Sequence, residues 1–111
     1  MNLIYKILTI LLILLGVVHT AFTPVFYDSF IPAALWFAGA GLLLIFGGLI
    51  NLVYQKTPQL YLKNITIYAN SILAIYTCLI MIIVPVFQAY VAFGIVLIVL
   101  FCSIFIKTNK K

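Results

Sequence analysis

The sequence predicts an all-α protein, an antiparallel four-helix bundle set in a membrane, and three observations predict it. Of 111 residues, 68% are hydrophobic and 6% charged, whereas a soluble domain carries about 25% charged residues. The apolar residues fall into four runs, each near the ~20 helical residues that cross ~30 Å of hydrocarbon. All six positive charges, Lys6, Lys56, Lys63, Lys107, Lys110 and Lys111, sit at alternating ends of those runs. Cytoplasmic segments carry the lysine excess, so both termini and the 54–63 loop are expected inside, with 24–30 and 86–89 outside.

The first span is expected over about 3–23. Lys6, an apolar run and then His19-Thr20-Ala21 give it the outline of a secretory signal. His19 stands where processing needs a small residue, so the segment reads as a retained span. The second span is expected over about 31–53, with Pro24 and Pro32 bracketing the outer turn and Pro32 in the first turn of the helix. The third covers about 64–85 after an inner loop that holds Pro58, and Pro85 closes it. The fourth runs over about 88–106. Tyr5, Tyr27, Tyr54, Tyr61 and Tyr90 cluster near span ends, with Tyr68 slightly deeper, and are read as an interfacial belt. Residues 1–111 therefore form one domain, with short outer turns that make spans one and two, and three and four, antiparallel neighbours.

Polar groups in hydrocarbon are costly, which makes them informative. His19 is the single histidine of the chain; it lies about 24 Å along the first span at about 1.5 Å per residue, near the outer surface. Thr9, Gly16, His19 and Thr23 share one helical face, expected to point into the bundle. Asp28, nine residues beyond His19 in the outer turn, is expected to fold back and accept its N–H. His19 and Asp28 would then form an outward-facing ligand site, with Tyr27, Trp36 and Gln88 at the same level. The alternative is that His19, Thr20 and Thr23 only cap the first helix and bond the outer turn.

In the second span Ala34, Ala38, Gly41 and Gly48 follow helical spacing and form a small-residue face. It would serve either packing within the chain or a homo-oligomer seam. Asn51 continues that stripe, while Asn70, Ala74, Thr77 and Met81 line the third span. An Asn51–Asn70 hydrogen bond is expected to tie the two helices, at about 1 kcal/mol.

Several classes fall away. Cys78 and Cys102 sit at depths that differ by about 12 Å, beyond the ~6 Å Cα separation of a disulfide. One His and two separated Cys do not make a zinc site, and no phosphate loop, nucleophile elbow or carboxylate pair occurs. The net charge of +5 comes from lysines that flank spans, with no Arg, which fits anionic membrane lipids and not nucleic acid.

A four-span chain of this length is similar in size to the small multidrug resistance transporters. That family carries a glutamate in its first span, where this chain has no acid. The stretch from Gly16 through His19 to Pro24, and the run Leu35-Trp36-Phe37-Ala38-Gly39-Ala40-Gly41-Leu42 through Asn51-Leu52, resemble the small bacterial four-helix membrane proteins grouped as DoxX-like. The resemblance covers about the first half and implies a bundle of the bacterial cytoplasmic membrane, with no catalytic residues to carry over. The excess of Ile, Asn, Lys and Tyr is in keeping with a bacterial host.

The expectation is thus a non-enzymatic inner-membrane protein that takes a lipophilic small molecule or partner helix at its outer end. Two other readings stay open: a small transporter gated by His19 protonation with Gly47-Gly48 as hinge, and a haem- or quinone-linked redox protein in which His19 supplies one axial ligand to a haem and Met81 or a dimer mate's His19 the other.

Overall fold

A computed structural model describes residues 2–108; Lys110 and Lys111 lie outside the described residues. Five helices follow one another: α1 (Asn2–Ala21), the single turn α2 (Thr23–Phe26), α3 (Pro32–Lys56), α4 (Leu60–Ile83) and α5 (Phe87–Phe105). The first two together make one span, so Leu3–Phe26, Pro32–Lys56, Leu60–Ile83 and Phe87–Phe105 are the four helical stretches long and apolar enough to cross a bilayer. The break at Phe22 falls where Pro24 cannot donate to the Thr20 carbonyl and its ring crowds it. Pro32 does open α3, whose N-cap, Ile31, is extended and makes no side-chain cap.

The long helices pack in chain order around the bundle, each on the next, and α1 closes the ring against α5. The α1–α3 pair is the most intimate. Its contact is the small-residue face: a Cβ at Gly16 would stand 2.6 Å from the Gly41 carbonyl oxygen, and one at Gly41 would stand 2.7 Å from that of Gly16. A Cβ at Gly48 would meet Ile13, and Thr20 Oγ1 donates to the Ala38 carbonyl at 3.2 Å. The face of Ala34, Ala38, Gly41 and Gly48 is therefore taken up within the chain, where backbones approach closely enough for dispersion contacts to replace a hydrophobic drive.

Polarity runs from inside to outside in the opposite sense to a soluble protein. Thr9, Asn51, Thr66, Asn70 and Ser103 are buried, while Leu3, Ile4, Phe46, Ile72, Ile82 and Phe101 are exposed. Only a hydrocarbon solvent makes that distribution favourable. The chain is an integral membrane protein, 50 Å long and 21–22 Å wide, a length that spans hydrocarbon and headgroup layers together.

Three layers fill the two-thirds of the bundle nearer the described lysines. Tyr5, Tyr54, Val99, Cys102 and Ile106 pack at the lysine end. Above them Asn51 exchanges two hydrogen bonds with Asn70, 2.8 and 2.9 Å, as expected from the sequence. Tyr5 donates to Asn51 Oδ1 at 2.5 Å, and Asn70 donates to Ser103 Oγ at 3.1 Å. The four residues come from α1, α3, α4 and α5, so one polar layer joins every span. Next comes an apolar layer of Leu12, Leu44, Leu73 and Val96.

Two expectations are corrected here. Tyr5 and Tyr54 are not belt residues: they are 1% and 0% exposed, because the Tyr5 hydroxyl reaches Asn51 and the Tyr54 hydroxyl the Ile106 carbonyl. The inner loop is shorter than 54–63, since α3 continues through Lys56 and α4 starts at Leu60. Burial of Tyr54 and a Gln55 hydrogen bond to Thr9 Oγ1 at 2.9 Å hold that added turn of α3 in the bundle. Cys78 and Cys102 are both free.

Candidate functional site

Above Leu44 the packing opens. A cavity of about 460 Å³ lies between the long helices at the end away from the described lysines, inside the 300–1,000 Å³ range of small-molecule sites. Leu44 and Thr77 form its floor, Leu15, Ala40, Ile80 and Ala92 its walls. Exposed Trp36, Val84, Val86 and Gln88 make the rim. From Ala33 to Leu44 it follows α3 for about 16 Å at about 1.5 Å per residue, half of a ~30 Å hydrocarbon core.

The cavity is what small side chains leave unfilled. Gly16 and Gly41 draw α1 onto α3, and four of the lining residues are alanines, Ala33 and Ala40 on α3 and Ala89 and Ala92 on α5. Bulky side chains such as Phe30 and Phe87 project outward, 78% exposed each, and leave the space between the helices unfilled.

Of the residues singled out by sequence, His19, Tyr27, Trp36 and Gln88 line this one cavity. The Thr9, Gly16, His19 and Thr23 face does point inward: three of its members are buried and His19 is half-buried. The His19 ring stacks on Phe37 with centroids 3.9 Å apart at 20°. Phe26 and Tyr27 in turn meet Phe37 edge-on at 5.6 and 5.7 Å, the T-shaped arrangement that ring quadrupoles favour. The imidazole is thus held in one plane by an aromatic cluster from α1, α2, α3 and the outer turn.

Asp28 does not join them. It is exposed, lies outside the cavity lining, and makes no hydrogen bond to His19. The reason is the extra turn α2: with Phe26 and Tyr27 packed on Phe37, Asp28 is carried past the ring instead of back over it. The capping alternative fares no better. Thr20 bonds across to α3, and among the described residues both His19 Nε2 and Thr23 Oγ1 are buried without a hydrogen-bond partner. Buried polar atoms are nearly always paired, so these two are exceptions to the rule among the described residues.

Sequence reasoning missed Tyr76 and Phe37. Tyr76 lines the cavity beside Thr77, whose hydroxyl already donates to the Leu73 carbonyl at 2.8 Å. A periodicity signal existed for Tyr76, one turn beyond Leu73 on the inward face of α4, but an isolated Tyr in a span reads equally as lipid-facing. The lining holds no Lys, Asp, Glu or Cys, and no group of three metal-ligating side chains occurs among the described residues. The site can desolvate an apolar body, stack a ring, and offer hydrogen bonds from an imidazole, two phenols and an amide.

Comparison with models of known protein families, with curated proteins and with solved structures finds no match. The function has to be read from the site itself.

Proposed function

We propose that this chain is a non-enzymatic membrane protein that holds a lipophilic small molecule between its spans. The observation that carries the reading is the convergence of His19, Tyr27, Trp36 and Gln88 on one cavity in the half of the bundle away from the described lysines. Apolar walls supply the affinity and a few polar tips set orientation, as in most small-molecule sites. Holding is favoured over chemistry because no carboxylate or thiol stands beside His19 in the lining to make an acid–base or nucleophile pair.

In this reading both termini and the Lys56–Lys63 turn face the cytoplasm of a bacterial cell, following the lysine bias. The cavity then opens toward the outer leaflet. The same reading keeps the chain with the small DoxX-like bundles that its first half resembles.

The test is mass spectrometry of lipid and metabolite extracts from gently solubilised protein, run beside His19→Ala. A molecule that copurifies with the native chain and is lost from a still-folded variant is the expected result. The same extract from both would remove the site.

A further inference from the structure

We propose that the ligand is an uncharged lipophile with a hydroxyl head, seated with the hydroxyl among His19, Tyr27 and Gln88 and the tail running down α3 toward Leu44. This rests on the reading of the cavity as a ligand site and names what that site selects.

Charge is decided by the walls. No Lys, Asp or Glu lines the cavity, the Asp28 carboxylate lies exposed outside it, and the described lysines occupy the far end of the bundle. An ammonium head would find no carboxylate there and a carboxylate head no cation. Burying either unpaired in hydrocarbon is costly enough to exclude it in favour of a neutral head.

The kind of neutral head is decided by the polar side chains of the lining. His19, Tyr27 and Gln88 all line the cavity, and the stack on Phe37 fixes the His19 ring. An imidazole, a phenol and an amide together present both donors and acceptors. A hydroxyl both donates and accepts, so it uses both kinds, whereas an ether or a carbonyl can only accept.

The direction of the tail follows from where the polar groups stop. Leu15 lies one helical turn below His19, and Ala40, Leu44, Ile80 and Ala92 complete an apolar lower half. The depth of about 16 Å keeps the whole tail within one leaflet, so an amphiphile of that leaflet enters without turning over.

Trp36 is the one tryptophan of the chain and lines the cavity, so its fluorescence reports occupancy directly. Protein in phosphatidylcholine vesicles would be titrated with three bromoalkyl probes of equal length, an alcohol, a carboxylate and a primary amine, each of which quenches indole on contact. Trp36 is 75% exposed, so all three give a linear collisional component from the lipid side. The alcohol is expected to add a saturable component, binding about ten-fold more tightly than the other two. That component should vanish in His19→Ala and in Ala92→Phe, which keeps His19 and fills the cavity. Saturation by the carboxylate or the amine instead would overturn the hydroxyl assignment and leave the ligand site standing. Linear quenching by all three, identical in Ala92→Phe, would overturn both.

Discussion

At the scale of single residues, the Asn51–Asn70 pair shows how much a polar side chain in hydrocarbon reveals. Asn51 uses both its oxygen and its amide: it accepts from Tyr5 and Asn70 and donates to Asn70 and the Gly47 carbonyl at 2.7 Å. Asn70→Leu should therefore destabilise the bundle by about 1–2 kcal/mol, since interhelical hydrogen bonds in membranes measure about 0.6 and at most about 1.7 kcal/mol and a stranded Asn51 adds desolvation. Tyr5→Phe removes one donor and should cost about 0.5–1 kcal/mol, where the same change in a belt tyrosine such as Tyr61, 70% exposed, should cost nothing measurable. Reversible unfolding in bicelles reads both, and equal stability of the Tyr5 and Tyr61 variants would remove Tyr5 from the core. The Asn pair was legible because its type and its spacing agreed. Tyr5 was not, because a tyrosine one turn inside a span end has the same sequence context whether it faces lipid or core. Asp28 misled for a related reason: nine residues of separation allow a return to His19, and only the packing of Phe26 and Tyr27 on Phe37 decides against it.

Among the helices, the sequence foretold the number, order and alternation of the spans and missed their ends. Hydropathy falls at Tyr54, Gln55 and Lys56, yet α3 runs through all three because Tyr54 is buried and Gln55 bonds Thr9. The small-residue face was legible as a face; that α1 is its partner was not, since Gly16 and Thr20 match it only in three dimensions. Gly16→Ala should cost about 1–3 kcal/mol, the usual range for overpacking, because its Cβ would press on the backbone oxygen of Gly41. Gly39→Ala and Gly94→Ala meet nothing within 4 Å and should be neutral or mildly stabilising, since Ala is the better helix former. Equal loss of stability at all three positions would show that α1–α3 contact does not set the effect, since helix propensity alone favours Ala over Gly at each.

For the molecule as a whole, the layering from lysine end to cavity end gives rigidity on one side and space on the other. The polar layer and the two apolar layers tie all four spans together, and the cavity lies wholly above them. A variant that empties or fills the cavity should therefore leave the fold intact. If the orientation follows the lysine bias as proposed, cysteine placed at Asp28, which is exposed, should react with an impermeant maleimide added to intact cells, and cysteine at Lys56 only after lysis. The reverse pattern would turn the cavity toward the cytoplasm. A cavity as such could not be foreseen from the sequence, because it arises from what the small residues on α3 and α5 fail to fill, and hydropathy does not register unfilled volume.

The account stands most directly on native mass spectrometry of the gently released protein, comparing the unaltered chain with Ala92→Phe and His19→Ala. One small molecule per chain on the unaltered protein, absent from both folded variants, is the predicted result; an identical spectrum from all three would contradict it.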